Sequence, residues 1–174
     1  MRFSVIFSEN NQETLRRFAS ETGGETIFPV SDRTIFALTS HKGGKARIFT
    51  YENLSAAGEI TIYNRDEIVK VSGSAEDASD GELLLKLFAK EGVKAFERIE
   101  GIFAAAIYDG KAVILARDSV GACPLFYTRS KAGWAASSSL KSLKNWSQLD
   151  ARLNLPAVAS FLTFAYLPGD ETLL

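Results

Sequence analysis

Ile102-Phe103-Ala104-Ala105-Ala106-Ile107-Tyr108, then Asp109-Gly110, then Lys111-Ala112-Val113-Ile114-Leu115-Ala116 follow one another without interruption. Two apolar runs joined by Asp-Gly form a strong short-range hairpin signal, because both turn residues tolerate the positive φ of a tight turn. Neither run alternates apolar with polar residues, so the hairpin is expected to be covered on both faces. It therefore needs one layer above it and another below.

Upstream, Ser79-Asp80-Gly81-Glu82 has the S-x-x-E form of a capping box, in which Ser79 and Glu82 each satisfy a free backbone N–H. A helix follows, with Leu83, Leu84, Leu87 and Phe88 on one stripe and an end near Gly92. Downstream, Leu125 to Thr128 and Trp134 to Ser137 read as strands. Leu140 to Trp146 and Leu155 to Phe164 read as helices, with Pro156 in a first turn. At the start of the chain, Phe3 to Phe7 reads as a strand. A helix from Asn10 or Asn11 to about Glu21, with Leu15, Phe18 and Ala19 on one face, ends at Gly23-Gly24. Thr26 to Val30 and Thr34 to Thr39 form a second hairpin turned through Pro29 to Arg33, and Ala46 to Tyr51 and Glu59 to Tyr63 are further strands. This order of strands, helices, strands and helices gives the α+β class. The expected architecture is a four-layer αββα sandwich, two antiparallel sheets between helical layers.

The composition narrows function. At 174 residues with 46% hydrophobic and 24% charged residues, one domain with a genuine core is expected. A net charge of −1 argues against nucleic acid or an anionic membrane as partner, and the basic group from Lys42 to Arg47 is short and broken by glycines. No apolar run approaches the ~18 residues of a membrane span. The single cysteine, Cys123, excludes an internal disulfide framework and fits a reducing compartment, so a cytoplasmic location is expected. Cys123 itself reads as a buried structural thiol, and His41 as a solvated turn residue. Nothing has metal-ligand spacing, and no phosphate-binding glycine loop is present.

A string of motifs in fixed order then carries a resemblance. Asp80-Gly81-Glu82-Leu83-Leu84-Leu85 precedes Ile99-Glu100-Gly101-Ile102-Phe103-Ala104. Ile107-Tyr108-Asp109, Arg117-Asp118-Ser119-Val120-Gly121, Pro124-Leu125-Phe126-Tyr127 and Ser138-Ser139-Leu140-Lys141-Ser142-Leu143 follow. From about Ile60 to Leu174 the chain resembles the N-terminal glutaminase domain of asparagine synthetases, a class II, Ntn-type glutamine amidotransferase. The resemblance implies the same sandwich, spanning 1–165. It also implies that 166–174, within the resembling stretch Phe164-Ala165-Tyr166-Leu167-Pro168-Gly169-Asp170-Glu171-Thr172, begins the connection to a synthetase domain. That family uses an N-terminal cysteine thiol to attack the glutamine side-chain amide, with its own α-amine as the base. A neutral α-amine of pKa about 7.7–8.0 is competent for that task.

Position by position, the resemblance implies a damaged site. Matching the family's opening Ile-Phe to Ile6-Phe7 places the nucleophile position at Ser4, with Met1-Arg2-Phe3 ahead of it and no cysteine. Ser4 as nucleophile would require cleavage after Phe3. Gly58 and Glu59 match the family's N-G-E substrate-binding stretch, but Ala57 stands where an oxyanion-hole asparagine would be. Losing one such donor typically costs on the order of 10²–10³ in rate. Asp80 matches the aspartate that holds the substrate α-amine, although a carboxylate in a helical first turn needs no further explanation. The carboxylate-clamping arginine has no match, Arg47 being only a distant candidate, and Ser139 replaces the glutamate of the segment that follows.

These losses imply a degenerate, non-catalytic amidotransferase-like domain supporting an ATP-dependent amidoligase. The stretch Gly58-Glu59 with Tyr63-Asn64-Arg65-Asp66-Glu67 is more similar to β-lactam synthetases than to asparagine synthetases. No cofactor is expected in the domain itself; ATP and Mg²⁺ belong to a separate synthetase domain. The expected partner is that domain or a synthetase subunit, with a homodimer as a further option. Two alternatives stand beside this expectation. One is an active glutamine-hydrolysing domain processed at Ser4; the other is a stand-alone small-molecule binding module.

Overall fold

The computed structural model describes residues 2–7, 26–39, 48–130, 133–147, 152–168 and 172–173. The helix expected from Asn10 or Asn11 to Glu21, its Gly23-Gly24 end, His41 and the 42–47 group lie outside these residues.

Two antiparallel sheets dominate. The first orders its strands β2 (Thr26–Ser31), β3 (Thr34–Thr39), β1 (Arg2–Phe7), β9 (Gly133–Ser137) and β8 (Phe126–Ser130). The second orders β4 (Phe49–Tyr51), β5 (Leu54–Ile62), β6 (Gly101–Tyr108) and β7 (Val113–Arg117). Pro29 sits in edge strand β2, where a missing N–H is tolerated, and the pairing with β3 is irregular between Pro29 and Ser31.

The alternation of each strand assigns the layers. Val5, Phe36, Leu38, Ala57, Ala104, Ala106, Cys123 and Ala136 form the cluster between the sheets. The other face of the second sheet supplies Ala56, Phe103, Ala105 and Ile107 to a larger cluster with two helices. These are α1 (Arg65–Ser72) and α2 (Asp80–Glu91), whose Ile68, Leu83, Leu84, Leu85 and Leu87 are all fully buried. Burying one such side chain contributes about 1.5–3 kcal/mol, so this stripe anchors the helical layer. A 3₁₀ turn (Gly92–Lys94) and α3 (Ala95–Arg98) lead back into β6. Helix α4 (Leu140–Ser147) packs against β8 and β9 on the outer side of the first sheet. The result is the four-layer αββα sandwich. Helix α5 (Leu155–Phe164) follows, with Asn154 capping it through Oδ1 to the Ala157 N–H at 3.2 Å.

The expected capping box forms: the Glu82 carboxylate accepts the Ser79 N–H at 2.7 Å and the Ser79 hydroxyl at 2.6 Å. The β6–β7 hairpin also forms, with two corrections. Only Gly110 takes positive φ, 92°, while Asp109 accepts the Lys111 and Ala112 N–H groups on Oδ1 at 2.8 and 2.7 Å. The turn is thus wider and built on an Asp side chain. In addition, β6 is buried throughout Phe103 to Ile107, but edge strand β7 is not covered on both faces, since Leu115 is 36% exposed.

Candidate functional site

Ser4 lies inside β1, in the middle strand of the five-stranded sheet. Backbone pairing with β3 runs on past it, Arg2 opposite Thr39 and Phe3 opposite Leu38, so the Ser4 nitrogen is a strand amide. Ser4 faces Ala37 on one neighbour and Ser137 on the other. Its hydroxyl is buried, 2.9 Å from the Ser137 hydroxyl, which also accepts the Ser139 N–H at 3.0 Å. Strand alternation puts Val5, and not Ser4, on the side facing the second sheet. Ser4 therefore points toward the outer layer.

Ala57 and Glu59 are two residues apart on β5 and face the inter-sheet side. The Ala57 methyl is fully buried there, whereas Glu59 is exposed. Between them, Gly58 faces the helices and must be glycine: a Cβ would lie 2.5 Å from the Ala104 carbonyl oxygen and 2.8 Å from the Ala105 Cα. Its conformity to the matched motif has a packing cause.

Asp80 opens α2 on the helical side of the second sheet. Its carboxylate accepts the Ile62 N–H at 3.1 Å and pairs with the Arg65 guanidinium at 2.5 Å. Arg65 also donates to the Glu76 carbonyl at 3.0 Å and to the Ala78 carbonyl. An arginine from α1 thus neutralises the Asp80 carboxylate, and the same guanidinium fastens the 74–79 loop. Asn64 prepares it: its side chain accepts the Glu100 N–H at 3.0 Å and donates to the Arg98 carbonyl at 2.9 Å, fixing the start of α1 against β6. Sequence reasoning missed Arg65 and all of α1. The available signal was Asn64 followed by Asp66 and Glu67, an acidic first turn after a capping residue type.

Two further groups complete this end of the sandwich. The Asp118 carboxylate is buried and accepts N–H groups of Ala122 at 2.9 Å, Cys123 at 3.1 Å and Phe103 at 3.3 Å. Burial alone would raise its pKa. The Ala122, Cys123, Phe103 and Gly121 N–H groups outweigh that and hold it below the ordinary carboxylate value. The R-D-x-x-G segment is thereby a carboxylate-centred turn. The buried Cys123 thiol is pushed upward by desolvation, then by the negative charges of Glu59 and Asp118, which disfavours the nucleophilic thiolate.

The matched residues do not converge. Ser4 faces the outer layer of one sheet, Glu59 the space between the sheets, and Asp80 the helices beyond the other. A cleft of about 720 Å³ and a smaller one of about 350 Å³ open elsewhere, and neither is lined by Ser4, Gly58, Glu59 or Asp80. Among the described residues no three His, Cys, Asp or Glu side chains are grouped to hold a metal, and no helix is long and apolar enough to cross a membrane.

A model of the glutamine amidotransferase domain family matches residues 49–174. A carboxyethyl-arginine beta-lactam-synthase from Streptomyces clavuligerus is 38% identical over 89 residues, 50% of this chain and 17% of that protein. An asparagine synthetase (glutamine-hydrolyzing) from Bacillus subtilis is 29% identical over 99 residues, 53% of this chain and 16% of that protein. The chain thus spans only about a sixth of these relatives. In fold it is similar to a glutamine phosphoribosylpyrophosphate amidotransferase from B. subtilis, with TM-score 0.62 and 15% identity over 83% of this chain and 43% of that one.

Proposed function

The chain belongs to the glutamine amidotransferase domain family, and on that premise we propose that it is a member without glutaminase activity, supporting an asparagine-synthetase-like, ATP-dependent amidoligase. The observation that carries this is Ser4. Its nitrogen is a paired strand amide and its hydroxyl is buried on Ser137, away from the inter-sheet space. An Ntn-type mechanism needs a nucleophile with a free α-amine beside it, and this position offers neither an amine nor access. The Ala57 methyl and the Arg65–Asp80 pair point the same way, since one supplies no oxyanion donor and the other occupies the amine-holding carboxylate.

A supporting role also fits α5 and its flanks. Leu155, Leu162, Phe164 and Tyr166 are 70%, 78%, 56% and 62% exposed on one short stretch. Exposed apolar area of this density marks an interaction surface, and the relatives' greater length supplies its occupant, a synthetase domain. ATP and Mg²⁺ are assigned to that partner. The isolated thiol is consistent with a cytoplasmic location.

The test is ammonia release from glutamine by the full chain, with and without ATP and its ligase partner. No glutamine-dependent ammonia above background is expected. Ammonia release that Ser4→Ala abolishes, from a mature chain whose mass begins at Ser4, would overturn the proposal.

A further inference from the structure

The 720 Å³ cleft lies where the two sheets part, between edge strand β7 and the β8–β9 hairpin, and it draws Arg117, Leu125 and Tyr127 from the motif string that carries the family resemblance. Its size falls within the ~300–1,000 Å³ range of small-molecule sites. Val113, Leu115 and Arg117 are alternate residues of β7 and present one face to the cleft, while Ile114 and Ala116 turn to the helical cluster. Opposite them stand Leu125, Tyr127 and Ala136. The described lining contains two cationic residues, Lys111 and Arg117, and no carboxylate. Extended-strand rise separates these two by roughly 20 Å, one at each end of an apolar floor. Among the described residues Arg117 has no ion pair or side-chain hydrogen bond, and its guanidinium lies against Gly121, where a Cβ would stand 3.2 Å from it.

We infer that this cleft binds a small carboxylate with an apolar body, the carboxylate on Arg117 and the body along Val113, Leu115 and Leu125. The planar guanidinium fork matches a carboxylate in two-point geometry, which an alcohol or amide cannot reproduce. With no acid among the described lining residues, the site favours anions over cations. Trp134 gives it a built-in reporter: it lines the cleft, is 44% exposed, and its ring is tilted against that of Tyr127 with centroids 6.2 Å apart. The described lining includes none of Ser4, Gly58, Glu59 and Asp80, so the test of this site is independent of the proposed loss of glutaminase activity.

The experiment titrates the full chain with phenylbutyrate and, separately, with the neutral phenylbutanol, following tryptophan fluorescence and confirming by ligand-observed NMR. Saturable binding of phenylbutyrate is expected, with phenylbutanol about tenfold weaker because it forfeits the charge-assisted pair. Arg117→Gln should bring the carboxylate down to the level of the alcohol and leave the alcohol unchanged. Lys111→Gln should change neither. Trp134→Phe should remove the fluorescence change while the NMR signal persists. Absence of saturable binding by NMR overturns the inference. Equal affinities for the two probes, or a loss confined to Lys111→Gln, overturns it as well.

Discussion

Replacing Arg65 by methionine tests whether the Arg65–Asp80 pair is a built feature of this domain. The guanidinium makes three contacts: Asp80 at 2.5 Å, the Glu76 carbonyl at 3.0 Å and the Ala78 carbonyl. Fully buried, a hydrogen bond to a charged group contributes about 1.5–3 kcal/mol, and fully exposed pairs contribute about 0.2–1. With side chains 32% and 25% exposed, this pair lies between those limits, and solvent screening places it near 1 kcal/mol. The two carbonyl contacts add about 0.5 kcal/mol each at the low end of the net range. Arg65→Met should therefore destabilise by about 2 kcal/mol, lowering the melting temperature by roughly 4–8 °C for a domain of this size. Urea unfolding followed by far-UV circular dichroism measures it. Asp80→Asn and the double variant complete a cycle whose coupling energy is expected to be about 1 kcal/mol. A single-variant effect below about 0.3 kcal/mol, or zero coupling, would refute the assignment, leaving Asp80 available to an ammonium.

Gly58→Ala should destabilise by about 1–3 kcal/mol, because the new Cβ meets backbone atoms of β6 that cannot rotate away; a chemical-denaturation midpoint unchanged from the parent would contradict this. Leu84→Ala, at a fully buried position of α2, should cost about 2–5 kcal/mol by calorimetry. Asp118 has a depressed folded pKa, so the stability it contributes is present above the ordinary carboxylate pKa and is lost as pH falls through the folded value. Unfolding curves between pH 7 and 3 should show this loss, and Asp118→Asn should flatten it. The Cys123 thiol, buried and with its pKa raised, should react with a disulfide reagent far more slowly in the folded chain than in urea; comparable rates would show that the inter-sheet cluster is open.

What could be read from the chain was what neighbours in sequence decide. The 79–82 capping box, the Asp109-Gly110 hairpin and the 155–164 helix all formed, since each depends on contacts within a few residues. Strand β5 begins at Leu54, five residues before its expected start. Ser55-Ala56-Ala57-Gly58 carries little strand propensity, and its small side chains serve the close approach of β6 instead. Helix α1 is hard to read from the chain because its eight residues bury only Ile68 and so carry little apolar periodicity. The direction of Ser4 was out of reach for another reason. It follows from the register of β1 with β9, and the two serines that meet are 133 residues apart in the chain.

That separation also bears on how the domain comes into being on the ribosome. Strand β1 can find β3 early, but its second partner emerges only after the roughly ninety residues between Thr39 and Gly133 have been made. At about 5–20 residues per second, β1 spends on the order of 5–20 s with one edge unpaired. A strand destined for the centre of a sheet is during that interval an open template for another nascent chain. The short stretch Gly133–Ser137, completing the sheet late, therefore sets when the domain becomes safe from its neighbours as well as when it is folded.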